Sequence, residues 1–159
     1  RTYKYSTVTP MFPFGFGLSY STIELNNLKI KVLQAYSQKQ KPALWLTSTD
    51  TLVVSFSARN SGSVPAEEVI QLYQQTKGAK FRTPQFDLKD FMHIRINPGE
   101  ESQYSFHIPA SRLSDFNMEG HCILVPGTHK LFVSTSLPVT RSLELGTTPW
   151  LEGEITVKK

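Results

Sequence analysis

Hydrophobic and polar residues alternate with a period of two along much of this chain, and helical periodicity is rare. The alternation is clearest in residues 51–60 and 101–108, where one face of each segment is apolar and the other is mostly polar. This pattern is typical of half-buried β-strands. The residues that we expect to face inward in these two segments are Leu52, Val54, Phe56, Ala58, Tyr104, Phe106 and Ile108.

Further strands are predicted wherever β-branched and aromatic residues recur between turn signals. They cover residues 23–32, 68–75, 89–96 (with an imperfect alternation that indicates a bulge) and 154–157. Residues 123–125 and 128–135 flank Pro126-Gly127 and predict a closing hairpin, while residues 109–113 predict one helical turn. About seven short strands with short links indicate an all-β fold, an immunoglobulin-like or fibronectin type III-like antiparallel β-sandwich.

The first 22 residues differ from the rest, because aromatic residues alternate there with Pro and Gly in Pro10-Met11-Phe12-Pro13-Phe14-Gly15-Phe16-Gly17. We therefore assign residues 1–22 to an irregular interdomain linker or lead-in and residues 23–159 to the sandwich. Residues 75–85, rich in Lys, Gly, Thr and Pro, predict a second irregular segment, a long and mobile loop.

Composition narrows the function classes. A length of 159 residues suits one domain, and no apolar run is longer than four residues, so no membrane helix is expected. The net charge of +4 comes from scattered lysines and arginines, so no nucleic-acid partner is expected. The single cysteine cannot form an intrachain disulfide. Since the chain opens on Arg1 without Met, we expect an internal piece of a longer protein.

A series of short motifs resembles one enzyme family. Pro13-Phe14-Gly15-Phe16-Gly17-Leu18-Ser19-Tyr20 is similar to the segment that leads into the C-terminal domain of glycoside hydrolase family 3, which includes β-glucosidases and β-xylosidases. Five further matches follow in the family's order: Asn60-Ser61-Gly62, Glu68-Val69-Ile70-Gln71-Leu72-Tyr73, Leu88-Lys89-Asp90-Phe91, Asn97-Pro98-Gly99-Glu100 and Val125-Pro126-Gly127-Thr128. Asp90 stands where the family carries a glycine, which affects the local backbone and not the fold.

The resemblance implies a C-terminal fibronectin type III-like domain attached behind catalytic domains. In that family the nucleophilic Asp and the acid/base Glu lie in those other domains, so this chain is expected to be inactive alone. Its expected partners are the catalytic domains of the parent glycosidase, without a cofactor. The family also implies a secreted, lysosomal or periplasmic location for the parent protein.

Side chains that could carry chemistry in this chain do not form a recognisable set. Glycosidases need two carboxyl groups on one site, but Glu67-Glu68 and Glu100-Glu101 are sequence neighbours and should point to opposite faces of a strand. Asp87 and Asp90 are interpreted as surface carboxylates. His121 and His129 could approach each other across the predicted closing hairpin, yet we expect no metal site. Cys122 is expected to be buried as a small hydrophobic residue.

The aromatic residues are the remaining candidates. We expect Phe12, Phe14, Phe16 and Tyr20 to pack the lead-in against a neighbouring domain, since Gly15 and Gly17 allow close backbone approach. Trp45 and Trp150 are interpreted as core-edge residues, with exposed sugar platforms as the alternative. The predicted function is a non-catalytic accessory domain that stabilises the catalytic domains and shapes the rim of their active site through residues 75–85. The alternative is an independent carbohydrate-binding or adhesion module.

Overall fold

The computed structural model describes residues 3–35, 39 and 44–158, and nearly all of the regular structure is β-strand. The only helical elements in this part of the chain are a 3-10 turn at Ala110–Leu113 and a short helix α1 at Thr140–Glu144. The strands are β1 (Ile23–Leu33), β2 (Trp45–Leu46), β3 (Thr51–Asn60), β4 (Ala66–Thr76), β5 (Asp87–Ile96), β6 (Glu101–Pro109), β7 (Asp115–Phe116), β8 (Cys122–Ile123), β9 (Gly127–Ser134) and β10 (Leu151–Val157).

Two sheets carry the seven long strands. The first sheet has three strands in the order β1-β3-β6, and the second has five in the order β2-β10-β9-β4-β5. Pairing is antiparallel throughout except between β2 and β10, which run parallel. The short strands β7 and β8 form a separate two-stranded hairpin. The predicted all-β sandwich is confirmed, and the parallel β2 is an addition to the predicted antiparallel pairing.

The main core lies between the two sheets and is built from the inward sides of the long strands. Burial of these side chains provides the dominant stabilising term, since apolar surface removed from water stabilises by about 25 cal/mol per Å². Leu52, Val54, Phe56 and Ala58 of β3 all lie in this core, as the alternation predicted. From β6, Phe106 and Ile108 are buried, and Tyr104 packs at the edge.

The predicted irregularity in β5 is a bulge. Leu72 of β4 faces Asp90 and the next residue, Tyr73, faces Leu88, so Lys89 is the extra residue on β5. This displacement turns the Lys89 side chain inward, where it is buried. The predicted helical turn after β6 is also present, at Ala110–Leu113.

The predicted closing hairpin is wrong. The strand at Cys122–Ile123 pairs with β7, while β9 pairs with β4 and β10. Because Cys122 lies on this peripheral hairpin and not in the core, its thiol is exposed, so its predicted burial is also wrong. His121 and His129 are separated by the same change of pairing: His121 is exposed beside Glu119, and His129 is fully buried.

Candidate interdomain surface

The outer face of the five-stranded sheet carries a second apolar cluster. Tyr73 of β4, Phe132 of β9 and Leu137 are buried at its centre, where Phe132 meets Phe86 edge-on at 5.3 Å between ring centroids. The partly buried residues around them are Tyr3, Phe86, Leu88, Val139 and Trp150. Several of these come from irregular segments, so this sheet face is covered by a layer that is neither sheet nor regular helix.

Residues 3–22, hereafter the lead-in, supply part of that layer. The Tyr3 ring stacks on Phe14 at 4.8 Å between centroids and meets Tyr73 edge-on at 6.2 Å. The Leu137 amide donates a hydrogen bond of 2.8 Å to the Phe14 carbonyl. Gly15 follows in the left-handed region, with φ of 76°, and its backbone lies directly against the Gln71 amide. The lead-in is therefore packed on the sandwich itself.

Asp87, predicted to be a solvated surface carboxylate, is half-buried and joins the lead-in to β5. Asp87 receives ion pairs from Lys4 and, at 2.7 Å, from the buried Lys89. Burial by itself would raise the pKa of this carboxyl, but the two ammonium groups outweigh it and hold the pKa of Asp87 below its usual range. The same hydrogen bond to Asp87 raises the pKa of Lys4. Lys4 and Asp87 are therefore both charged at neutral pH, and their ion pair ties residue 4 to the edge of the sheet.

The loop between β4 and β5, residues 77–86, is attached to the lead-in. The Gln85 amide donates to the Lys4 carbonyl at 2.7 Å, and Arg82 Nη2 donates to the Tyr5 carbonyl at 3.0 Å. The Arg82 guanidinium also lies over the Tyr5 ring, 5.1 Å from its centroid. These contacts, with Phe86 in the second cluster, give the loop fixed attachment points; its predicted mobility stays a prediction.

The lead-in presents an outward apolar strip, which we define as Phe12, Phe14, Leu18 and Tyr20. Their exposed fractions are 61%, 48%, 91% and 101%. Phe16, the other predicted packing residue, is half-buried and stacks on Phe12 at 5.6 Å between centroids. Large apolar side chains exposed together mark an interaction surface more often than chance does. Val8 and Met11, also well exposed, belong to the same segment and were not singled out from the sequence.

A groove of about 820 Å³ runs beside Phe12 and Phe14, one end of this strip. Its walls include Tyr3, Phe12 and Phe14 from the lead-in and Phe86 from the loop. Arg141 of α1 lies on its rim, paired at 3.0 Å with Glu144. The groove is mostly apolar with one charged pair, which suits the side chains of another protein domain.

The carboxylates considered from the sequence are dispersed. Glu67 is exposed and pairs with Arg95 at 3.4 Å, and Asp90 faces Arg112 at 3.7 Å. Glu68 is half-buried, and burial raises the pKa of its carboxyl. Within residues 3–35, 39 and 44–158 no three His, Cys, Asp or Glu side chains come close enough together to hold a metal ion. In the same residues no helix has the length and apolar character needed to cross a membrane.

The two tryptophans occupy different surroundings. Trp150 is half-buried and packs against the second cluster, as predicted for a core-edge residue. Trp45 of β2 is 51% exposed, but the Lys158 ammonium lies over its ring, 3.1 Å from the centroid. A ring covered in this way does not offer that face to a sugar.

Sequence reasoning missed the residues that hold the surface in place. Asp87, Lys89 and Arg82 drew no attention as anchors, because an ion pair between β5 and residue 4 depends on a fold that brings distant segments together. One signal was available in the imperfect alternation of residues 89–96, which begins at Lys89 and marks the bulge. Gly15 was noted correctly as a residue that permits close approach.

Comparison with known proteins agrees with the fold. Residues 68–137 match the family described as fibronectin type III-like domain. The chain is 31% identical over 137 residues to a β-glucosidase of Bacteroides ovatus. The aligned segment covers 86% of this chain and 17% of that protein. It is 31% identical over 134 residues to a β-xylosidase of Formosa agariphila, covering 84% of this chain and 17% of the relative.

A solved structure gives the same result. The β-glucosidase of Listeria innocua in complex with glucose superposes with a TM-score of 0.74 and 27% identity, over 94% of this chain and 18% of that protein. The chain thus spans less than a fifth of the length of each of these relatives. The resemblance drawn from the short motifs is confirmed.

Proposed function

The chain is a fibronectin type III-like domain of the family 3 glycoside hydrolases, and on that premise we propose that it serves as a non-catalytic accessory domain. In this proposal it packs against the catalytic domains of an enzyme that hydrolyses O-glycosidic bonds, a β-glucosidase or a β-xylosidase. The observation that carries the proposal is the apolar strip of Phe12, Phe14, Leu18 and Tyr20, which is exposed although its backbone is anchored to the sandwich.

Two further observations support this role. The relatives are about five to six times longer than the segment that matches this chain, so a comparable protein offers large neighbouring surfaces. The strip also lies on a preorganised backbone, and a surface that is already ordered loses less conformational entropy on docking than a flexible one. The groove beside it would accept apolar side chains from the catalytic domains.

The proposal extends to the loop at residues 77–86. Because Arg82 and Gln85 bind the lead-in, docking of the strip would carry the loop to the same neighbour. We therefore place the loop beside the catalytic domains, where it would shape the rim of the active site. In this arrangement the loss of docking raises KM for an aryl glycoside as well as lowering stability.

The test compares two triple variants in the full-length protein that carries this chain. Phe12→Ser/Leu18→Ser/Tyr20→Ser removes the exposed strip, and Phe91→Ser/Phe116→Ser/Met118→Ser is a matched control among exposed apolar residues of β5 and the β7–β8 hairpin. We expect the strip variant to lower the melting temperature of the full protein by roughly 5 °C, since each side chain removed from an interface forfeits about 1.5–3 kcal/mol. The control should leave it unchanged.

The isolated chain completes the test. Its own melting temperature should not respond to the strip variant, and it should not hydrolyse an aryl β-glucoside or β-xyloside. Equal melting temperatures for the strip and control variants of the full protein would overturn the docking proposal. Measurable hydrolysis by the isolated chain would overturn its non-catalytic character. Saturable binding of cello- or xylo-oligosaccharides to the isolated chain would instead assign it as a carbohydrate-binding module.

A further inference from the structure

A buried polar network connects the five-stranded sheet to both ends of the β7–β8 hairpin. On the sheet side it contains Gln74 and Thr76 of β4 and His129 of β9, which are all buried. Gln74 Nε2 lies 2.9 Å from the carbonyl of Leu113, just before β7. His129 Nε2 lies 2.7 Å from the carbonyl of Val125, just after β8. Gln74 and His129 thus hold the hairpin at its two ends.

The acceptors in this network determine the protonation state of His129. The Val125 carbonyl can only accept, so His129 Nε2 must carry the hydrogen. Gln74 Nε2 has two hydrogens and lies 2.9 Å from both the Leu113 carbonyl and His129 Nδ1, and since an amide nitrogen cannot accept, a hydrogen on Nδ1 would have no acceptor there. Thr76 Oγ1 lies 2.8 Å from the same Gln74 nitrogen and donates to Asp115 Oδ2 at 2.5 Å. The network is therefore consistent only with a neutral imidazole.

A second proton on His129 cannot be accommodated in this arrangement. It would place an Nδ1–H against the Gln74 NH₂ group, donor against donor. Rotation of the Gln74 amide would present Oε1 to the imidazolium, and Oε1 has no hydrogen-bond partner now. The rotated oxygen would then face the Leu113 carbonyl, acceptor against acceptor, and the hairpin would lose that attachment. A buried group left without its partner costs about 1–3 kcal/mol.

We propose that His129 acts as a proton-dependent latch for the β7–β8 hairpin. A neutral imidazole holds the hairpin on the sheet, and a protonated imidazole releases it. The released element carries the exposed Phe116 and Met118, so protonation changes how an apolar part of the surface is presented. The device is separate from the lead-in surface and does not depend on the role proposed for that surface.

The surroundings of His129 also favour its neutral form while the hairpin is closed. Burial lowers the pKa of His129 below that of an accessible imidazole, and it outweighs the hydrogen bond that the ring donates to the Val125 carbonyl, which raises this pKa. The two charged groups that act on the ring are Asp115 of β7, which favours the cation, and Lys89 of β5, which opposes it. Because the open state binds the proton more tightly than the closed state, opening is favoured as pH falls below about 6.5 and is independent of pH well above it.

Amide hydrogen exchange at pH 7.5 and 5.0 tests the latch. The hairpin amides include that of Asn117, which donates to the His121 carbonyl. After correction for the intrinsic exchange rates, we expect their opening constant to rise by up to about 30-fold from pH 7.5 to pH 5.0. The amides of β3 serve as the reference for global unfolding and should change much less. An equal rise in β3, or no rise in the hairpin, would overturn the proposal.

Two histidine variants separate His129 from other titrating groups. His129→Gln keeps one donor and one acceptor without a charge change, so the rise should shrink to less than about threefold. His121→Gln, which removes an exposed histidine of the same hairpin, should behave as the unmodified protein. Retention of the full pH dependence in His129→Gln would refute the latch. If that variant does not fold, imidazole NMR of the unmodified protein decides, because a protonated His129 in a still-protected hairpin would refute the latch equally.

Discussion

The outer faces of the two sheets meet their surroundings in opposite ways. On the three-stranded sheet, the outward-facing Ser55 of β3 is half-buried and Ser105 of β6 is exposed, and their hydroxyls share a hydrogen bond of 2.7 Å. On the five-stranded sheet, Tyr73 and Phe132 are buried beneath irregular segments. An antiparallel sheet can leave one face in water, and the first sheet does so along β6, whose outward residues are all exposed, while Val53 and Ser57 of its central strand β3 are buried. The second sheet is instead the middle of three layers.

This difference shows where apolar residues are used beyond the main core. A two-layer sandwich needs one apolar face per sheet, and β6 shows the corresponding alternation of exposed outward residues with buried or half-buried inward residues. In β4, residues 70–74 are all buried, since both faces of that strand are covered. The central strand β3 of the other sheet is also buried over residues 52–54 and 56–58, so continuous burial is not enough to mark an extra layer. Large outward aromatic residues that are buried, Tyr73 and Phe132, mark the sheet that carries it, and the extra layer carries the proposed docking strip.

Truncation of Phe132 should have the largest effect on stability among the substitutions that test the difference between the two outer faces. Phe132→Ala removes a buried ring that packs against Phe86, and we expect the free energy of unfolding of the chain to fall by about 3–5 kcal/mol. Ser55→Ala on the opposite outer face should change it by less than about 0.5 kcal/mol. Urea unfolding of both variants provides the measurement. Similar losses in the two variants would mean that the second cluster is no more important than a solvated face.

A substitution at Gly15 tests whether the third layer needs the lead-in backbone in its present position. Gly15→Ala places a side chain at φ of 76° and directly on the Gln71 amide, which now donates to the Thr135 carbonyl at 3.0 Å. We expect a loss of about 2 kcal/mol in unfolding free energy. Gly17→Ala is the matched control, since a Cβ there meets nothing within 4 Å. If both variants are equally stable, the contact at Gly15 does not hold the layer.

Removal of the Asp87 charge should have the smallest effect and a distinct pH dependence. Asp87→Asn should lower the unfolding free energy by about 1–2 kcal/mol at pH 7. The loss is smaller than for a fully buried ion pair, because Lys4 is 39% exposed and solvent screens its charge. The folded pKa of Asp87 lies below that of the unfolded chain, so the stabilisation is complete above the unfolded value of about 3.8 and disappears as pH falls through the folded pKa.

Unfolding experiments between pH 7 and 2.5 check that dependence. The stability difference between the unmodified chain and Asp87→Asn should narrow below about pH 4. Glu67→Gln, at an exposed ion pair with Arg95, should show little difference at any pH. A difference that persists undiminished at pH 2.5 would show that the Asp87 ion pairs do not hold the lead-in.

Local patterns predicted the strands well because the two-residue period reflects the pleat directly. The segments at 51–60 and 101–108 correspond to β3 and β6 within a residue. The pairing partners of the strands were harder to predict from the sequence, since pairing depends on contacts between distant parts of the chain. The Pro126-Gly127 turn indicated a hairpin, but β8 pairs backward with β7 and β9 joins the interior of the second sheet. The predicted burial of Cys122 failed for the same reason.

Part of the candidate surface could likewise be predicted from local sequence, and part could not. The aromatic residues of the lead-in were recognisable, because Pro and Gly among them exclude a regular strand. The ties that fix them, from Leu137 to Phe14 and from Asp87 to Lys4, join segments far apart in the chain and leave no local signal. The buried network around His129 was also invisible, since a lone histidine in a strand has no sequence signature that separates it from an exposed one.

The long reach of the lead-in contacts has a consequence for biosynthesis. Arg141 donates to the Met11 carbonyl across 130 residues, and directly after the lead-in the Ile23 carbonyl of β1 accepts from Thr148 across 125 residues. At a translation rate of about 5–20 residues per second, the lead-in leaves the ribosome on the order of ten seconds before these partners exist. During that interval its aromatic residues have no sandwich to cover them, which makes the nascent lead-in a site where chaperones are expected to bind.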